Sequence, residues 1–245
     1  MQKLMKALAA IMLTVAVVFA YGCQKDPENG GGNNNGGSGD GGGNANGHAY
    51  VDLGLPSGTL WATCNVGATT PEGYGNYYAW GETTTKSTYE WSTYRYCNGI
   101  YTTLTKYCNS SSYGNNGFTD NLTTLQLSDD AARANWGGDW RMPTKAEWEE
   151  LKNNTTVTWT AQNGVYGRKF TASNGNSLFL PAAGYQNDGS LDIVVNFGGY
   201  WSSSLYTGLP IYAWSFLFGS DFYGLNDGRR DIGRSVRPVR SARQN

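Results

Sequence analysis

The amino-acid sequence predicts an α+β domain that follows an export signal and a flexible tether. Two capped helix signals precede a series of short strand signals in the C-terminal half, and this order is typical of an α+β fold. An apolar N-terminal segment and a stretch of Gly, Asn and Ser come before them. We therefore divide the chain into a signal peptide (residues 1–22), a linker (residues 23–47) and one folded domain (residues 48–245).

The N-terminal segment has the pattern of a lipoprotein signal peptide. Lys3 and Lys6 precede an apolar run, residues 7–20, which is too short to span a bilayer comfortably. The sequence AYGC that ends at Cys23 resembles a bacterial lipobox, whose cysteine is lipidated. The following QKDPE resembles the export tag on surface lipoproteins of Bacteroides-type bacteria. These resemblances imply an outer-membrane lipoprotein facing the cell exterior, while ordinary signal cleavage beside a chance cysteine is the alternative.

Composition excludes several classes of partner. Residues 27–47 carry too little apolar surface to fold, so we expect a flexible tether. Without the two lysines of the signal, the 18 basic residues fall to 16 against 19 acidic ones. A net charge of about −3 gives no electrostatic reason to bind nucleic acid. The membrane contact is expected to be the lipid anchor.

The cysteines indicate a disulfide rather than a metal site. Cys97 and Cys108 flank a short Tyr-Thr-rich segment, and export permits a bond between them. It would close a loop of about a dozen residues and contribute about 3 kcal/mol. The sequence leaves the state of Cys64 open. His48 is the one histidine, so we expect neither a zinc site nor a cofactor.

Two helices are predicted from their caps. Ser128 can cap the first helix, which would end at Gly137-Gly138. Thr144 and Glu147 form a capping box for the second helix, which would run to Asn153. Trp148 and Leu151 lie three residues apart and would share its buried face.

The strands are predicted from turn signals and apolar runs. Residues 50–63 contain two short strands joined by a Pro-Ser-Gly turn. Residues 157–159, 167–172 and 177–180 follow the helices, with Asn174-Gly175 as the turn between the last two. The polar segment 83–120 is expected to be a long excursion closed by the disulfide.

The final stretch, residues 198–239, is the predicted binding surface. In residues 213–218, Trp214, Phe216 and Phe218 alternate with Ser215 and Leu217, which indicates a strand with one aromatic core face. Apolar side chains on the outward face would suit a binding site. The predicted ligand-binding residues are Tyr206, Leu209, Ile211, Tyr212, Ser215, Leu217, Asp221, Tyr223, Leu225, Asn226, Asp227, Arg230, Asp231 and Ile232.

Five blocks carry a family resemblance. They are VDLGLPSGTLWA (51–62), WGGDWRMPT (136–144), FLPAAGY (179–185), GYWSSS (199–204) and SVRPV (235–239). In this order they resemble the Fibrobacter succinogenes major paralogous domain. The resemblance implies a C-type lectin-like fold with a strand-and-loop face displayed for binding.

Catalysis and calcium-dependent sugar binding are less favoured by the residues. RMPTKAEW (141–148) also resembles a block of formylglycine-generating enzymes, but those need two reactive cysteines near the C-terminus, and none follows Cys108. We therefore predict no catalytic residues. Calcium-dependent lectins of the same fold use Glu-Pro-Asn or Gln-Pro-Asp and Trp-Asn-Asp, whereas here only Leu225-Asn226-Asp227 comes close. Tyr206, Tyr212 and Tyr223 could still stack on sugars without calcium.

A diversified binding protein is the preferred function. Lectin-like domains are displayed targets of diversity-generating retroelements, which randomise adenines in Asn-type codons and so never yield Lys, Glu, Gln, Met or Trp. Residues 187–243 contain no Lys, Glu, Gln or Met, and Trp201 and Trp214 fall at framework positions. Ordinary family composition in a short window is the alternative. The ligand, a protein or a glycan, is not identified by the sequence.

Overall fold

A computed structural model describes residues 41–242. The two α-helices are α1 (Ala131–Trp136) and α2 (Lys145–Asn153). The strands in chain order are β1 (Gly42–Ala45), β2 (His48–Asp52), β3 (Thr59–Ala62), β4 (Tyr77–Tyr78), β5 (Thr155–Gln162), β6 (Val165–Ala172), β7 (Ser177–Pro181), β8 (Tyr185–Asn187), β9 (Ser190–Asp192), β10 (Gly198–Leu205), β11 (Tyr212–Phe218), β12 (Tyr223–Arg229), β13 (Arg234–Ser235) and β14 (Val239–Ser241).

The predicted fold class is wrong, because the protein is mostly β-sheet. Strands make up 38% of the described residues and helices, including short 3₁₀ turns, only 12%. Both predicted helices are present, but they contribute too little of the chain to define the fold class. Each is short, and both pack against strands and loops that supply most of the core. The architecture is therefore a β-rich fold and not an α+β lectin-like domain with two helices.

Helix boundaries follow side-chain caps. In α2 the Thr144 hydroxyl accepts the Glu147 amide and the Glu147 carboxylate accepts the Thr144 amide, so the predicted capping box is confirmed. Trp148 and Leu151 are buried, as predicted. The cap of α1 is Asp130 and not Ser128, since the Asp130 carboxylate accepts the Arg133 amide while residues 127–129 form a 3₁₀ turn.

One sheet gathers both ends of the described chain, in the order β1-β2-β3-β14. The predicted hairpin of β2 and β3 is confirmed, with Val51 opposite Trp61. β1 lies inside the predicted tether and pairs with β2 from Gly42 to Ala45. Strand pairing uses backbone groups, so a Gly-Asn sequence with little apolar surface can still add an edge strand. The folded part thus begins before His48.

The main sheet has the order β12-β11-β10-β13-β4, and both of its faces are covered over part of their length. Tyr200 and Phe216 lie opposite each other and pack on α2 through Trp148. The neighbouring residue, Trp201, points to the other side, into a second core that also holds Ala213. We call these two sides the Phe216 face and the Trp201 face. The remaining sheets are β5-β6-β7 and β8-β9, and the β6–β7 hairpin turns at the predicted Asn174-Gly175.

The segment 83–120 belongs to the core rather than projecting from it. Tyr89, Tyr94, Tyr96 and Tyr107 are buried there beside Trp80. This segment contains only short 3₁₀ turns and isolated bridges, so its tyrosines are placed by side-chain packing and hydrogen bonds to carbonyls.

The structure contradicts the predicted disulfide between Cys97 and Cys108, because both thiols are free. The Cys97 thiol donates to the Trp91 carbonyl at 3.1 Å, and the Cys108 thiol donates to the Ser110 carbonyl at 3.1 Å. Each thiol is thus held by a carbonyl of its own neighbourhood. Cys64 is fully buried and disulfide-bonded.

Candidate ligand-binding surface

The predicted binding residues do not form one exposed face. Asp221, Tyr223 and Asn226 are exposed. Three are buried: Ser215, Arg230 and Asp231. The others are half-buried: Tyr206, Leu209, Ile211, Tyr212, Leu217, Leu225, Asp227 and Ile232.

Arg230 is a structural residue. Its guanidinium is fully buried and donates to the Tyr94 hydroxyl and to the carbonyls of Lys106, Tyr107 and Pro210, at 2.8–3.0 Å. It also lies 4.9 Å from the centre of the Trp80 ring. These contacts hold the aromatic segment against the sheet, so Arg230 does not face outward as the sequence predicts.

Asp231 and Ser215 are also structural. The buried Asp231 carboxylate accepts two hydrogen bonds from Arg229, at 2.5 and 3.0 Å. The Ser215 hydroxyl donates to the Asn226 carbonyl at 3.1 Å on the Trp201 face, where Ser215 is fully buried. The alternation in β11 was read correctly, but the second face is covered as well. A period-2 pattern cannot show whether another layer covers the polar side.

The aromatic face is open at one end. Phe216 and Phe218 are buried as predicted, whereas Trp214 on the same face is half-exposed. The Tyr206 ring packs edge-on against Trp214 at 5.1 Å, and the Lys145 ammonium lies 4.0 Å from the centre of the Trp214 ring. Of the predicted binding aromatics, Tyr206 is therefore engaged in a contact within the chain. Tyr212 is half-buried on the same face.

The strongest exposed feature was missed in the sequence. Five apolar side chains, each at least two-fifths exposed, lie on two segments that meet. Leu191, Ile193 and Val195 lie on β9 and the loop after it, and Phe222 and Tyr223 lie at the start of β12. We call these five residues the exposed apolar patch. The rings of Phe197 and Phe222, 6.3 Å apart, join the two segments.

A signal for this patch was present in the sequence. The run LDIVVNF (191–197) is apolar but lies between glycines 189 and 198 in a turn-rich stretch, which suits neither a helix nor a long buried strand. Ile193 and Val195 have φ angles of 53° and 67°. Positive φ is strained for β-branched residues, and such strain is concentrated at functional sites.

The turn that carries Phe222 is fixed from beneath. The buried Arg168 of β6 donates to the carbonyls of Gly219, Ser220 and Phe222 at 2.8–3.3 Å. The guanidinium also lies 5.0 Å from the centre of the Tyr223 ring. A clamped turn presents Asp221, Phe222 and Tyr223 with little freedom to lose, which favours binding.

Two further kinds of site were sought among residues 41–242. No group of three or more His, Cys, Asp or Glu there is placed to hold a metal ion. None of the helices in this range is long and apolar enough to cross a membrane. Cys23, the predicted lipid anchor, lies outside the described residues.

Comparison with known proteins gives no independent assignment. No family model, curated protein or solved structure matches the chain.

Proposed function

We propose that the chain is a surface-anchored binding protein that recognises a protein partner through the exposed apolar patch. The main support for this proposal is that five apolar side chains are exposed beside a turn held by hydrogen bonds from Arg168. Exposed apolar clusters rimmed by polar residues are typical of interaction sites. Asp221, which precedes Phe222 in the chain, is exposed and supplies part of such a rim.

The composition of the patch favours a protein over a glycan. Three of its members, Leu191, Ile193 and Val195, are aliphatic and offer no flat ring for a sugar to stack on. Among the tyrosines proposed for stacking, Tyr206 and Tyr212 are half-buried and only Tyr223 is exposed. Aromatic anchors such as Phe222 and Tyr223 carry much of the energy of protein interfaces.

Anchoring is the second part of the proposal. The lipobox-like AYGC sequence and the export-tag-like QKDPE support a lipid at Cys23 and display on the outer membrane, facing outward. The five blocks that resemble the Fibrobacter succinogenes major paralogous domain support membership of that family. We propose a binding role with no catalytic step.

Diversification by a retroelement is a finer proposal about the same surface. The patch contains none of the residue types that randomised Asn-type codons cannot encode, and its residues Phe222 and Tyr223 lie within residues 198–239. Sequencing the gene's neighbourhood tests this point. A reverse-transcriptase gene and a near-copy of the codons for residues 198–239 are expected, and their absence would indicate a fixed surface.

The binding proposal is tested with the purified full chain on arrays of defined extracellular proteins and of glycans. We expect saturable binding to a protein that the double variant Ile193→Ser, Phe222→Ser loses. Leu127→Ser is the matched control, because Leu127 and Ile193 are both 52% exposed. Exposed substitutions change stability by about 0.5 kcal/mol or less, so all variants should keep their melting temperature.

Two outcomes would contradict the proposal. Binding that survives the double variant would place the interface elsewhere. Binding to glycans alone would favour the calcium-independent lectin.

A further inference from the structure

A buried arginine on the Trp201 face has no hydrogen-bond partner among the described residues. Arg234 of β13 is only 6% exposed, yet its Nε and Nη1 atoms are buried without an acceptor. The third nitrogen, Nη2, is not among the buried atoms without a partner. Buried guanidinium groups are normally paired, so this arrangement requires an explanation.

The backbone of the sheet makes room for this side chain. A Cβ atom added at Gly199 of β10 would lie 2.5 Å from Nη1, and one added at Gly228 of β12 would lie 2.7 Å from Nη2. The Arg234 guanidinium thus lies against Gly199 and Gly228, two positions that have no side chain. The Trp201 ring, 5.0 Å from the guanidinium carbon, supports it on one side.

No anion in the described part of the chain neutralises this charge. The two side chains whose fields reach Arg234 are Tyr185, whose ring centre lies 5.9 Å from the guanidinium carbon, and Asp227. No ion pair joins the Asp227 carboxylate to Arg234 among the described residues. Burial lowers the pKa of the Arg234 guanidinium to about 10, so the group stays cationic at neutral pH. A fixed, desolvated cation with open donors has the properties of an anion-recognition group.

The neighbouring Arg237 shows that a buried arginine can find hydrogen-bond partners in this fold. Arg237 is fully buried, and its Nε atom donates to the Asn65 side chain at 2.9 Å while its Nη1 atom donates to the Ala62 and Thr63 carbonyls, which leaves only its Nη2 atom buried without a partner. Arg230 likewise makes four hydrogen bonds. Among these three, Arg234 alone makes none.

Arg234 also adjoins the exposed apolar patch. At Gly199, the added Cβ atom that meets Arg234 would also lie 3.2 Å from the Phe197 ring, which contacts Phe222 of the patch. The Nη2 end lies at Gly228, two residues from the exposed Asn226. A partner seated on the patch and reaching across β12 would therefore arrive at the guanidinium.

We propose that Arg234 receives a carboxylate, the side chain of an Asp or Glu on the bound protein partner. This inference rests on the proposed function and names the chemistry by which the partner is recognised. The planar guanidinium matches a carboxylate, and the aliphatic patch beside it favours an acidic peptide over an acidic sugar.

The test follows the Arg234 Nε–H resonance of the full chain by NMR, assigned by its absence from Arg234→Met. We expect a saturable shift on addition of N-acetyl-glutamate α-amide and none with the glutamine counterpart. Equal shifts from both probes would overturn the inference. A shift from glucuronate but not from the glutamate probe would also overturn it, because the anion would then be a sugar acid.

Variants separate recognition from support of the fold. Arg234→Met removes an unpartnered buried charge and keeps the shape, so we expect an unchanged or higher melting temperature. Its affinity for the partner found on the array should fall by at least about thirtyfold, and Arg234→Lys should restore only part of it. Arg95→Met, an exposed site with the same change of charge, should bind normally. A sharp loss of melting temperature in both Arg234 variants would assign Arg234 to the fold instead.

The two proposals fail in different ways. If Arg234→Met binds the partner normally while the Ile193→Ser, Phe222→Ser variant does not, the binding function stands and the carboxylate inference falls. If the patch variant binds normally, the proposed function falls whatever Arg234 does.

Discussion

At the scale of single residues, arginines with similar burial have different roles. Arg168, Arg230 and Arg237 donate hydrogen bonds to backbone carbonyls, whereas Arg234 makes no such hydrogen bond within residues 41–242. The number of acceptors within reach distinguishes them, and burial alone does not. This number depends on chain segments that are far apart in the sequence.

The structural role of Arg230 can be measured. Arg230→Met would leave the carbonyls of Lys106, Tyr107 and Pro210 without their donor in a buried site. We expect the free energy of unfolding to fall by about 3–5 kcal/mol, measured by denaturant titration. Arg95→Met, at an exposed position, should change it by about 0.5 kcal/mol or less. A small effect of Arg230→Met would return this residue to the list of binding candidates.

The ion pair of Glu147 and Arg141 predicts a pH dependence. Burial would raise the pKa of Glu147, but hydrogen bonds from Arg141 and Thr144 outweigh it and hold the pKa below the usual 4.5. A depressed carboxyl pKa gives stability that is present above pH 4.5 and is lost as the pH falls through the folded pKa. Acidification should therefore weaken the contribution of this pair.

The matched variant is Glu147→Gln, since glutamine can keep the capping box. We expect its free energy of unfolding at neutral pH to be about 1–3 kcal/mol lower than that of the unmutated protein. This difference in free energy of unfolding should decrease as the pH falls toward about 3, measured by denaturant titration at each pH. The raised pKa of the buried Asp130 acts in both proteins and so cancels. A gap that does not change with pH would show that the carboxylate charge is not involved.

At the scale of elements, the main sheet lies between two hydrophobic cores, one on each of its faces. Its Phe216 face packs on α2, and its Trp201 face packs on the tyrosines of segment 83–120. The outer strand β12 and the turn before it are more open, and they carry Phe222 and Tyr223 of the exposed apolar patch. Segment 83–120 thus covers part of the sheet that the strand pattern alone would leave open to solvent.

The free thiols of this segment give a direct test. In denaturant without reductant, iodoacetamide should add two carbamidomethyl groups, at Cys97 and Cys108. Burial raises the pKa of both thiols, so alkylation of the native protein should be slow. Cys97→Ala should cost about 1 kcal/mol, less than the 2–4 kcal/mol typical of a lost disulfide. An intact mass with neither thiol alkylated would restore the predicted bond.

At the scale of the whole molecule, we expect a lipid at Cys23 to anchor the β-rich domain to the membrane. We predict that Cys23→Ser moves the protein from the membrane fraction to the soluble fraction and leaves the melting temperature unchanged. Membrane fractionation checks this, and the intact mass of the unmutated protein shows whether it carries an added lipid. A Cys23→Ser protein that still sediments with membranes would contradict lipid anchoring.

The features that depend on residues close together in the chain could be predicted from the sequence. The capping box of α2, the Asn174-Gly175 hairpin turn and the alternation in β11 each rest on a few adjacent residues whose dihedral preferences and caps are local. The fold class, the free state of Cys97 and Cys108, and the exposure of residues near the C-terminus depend instead on tertiary packing. Burial of Ser215 and Arg230, and the unpartnered state of Arg234, depend on what packs from over a hundred residues away, and local periodicity does not record it.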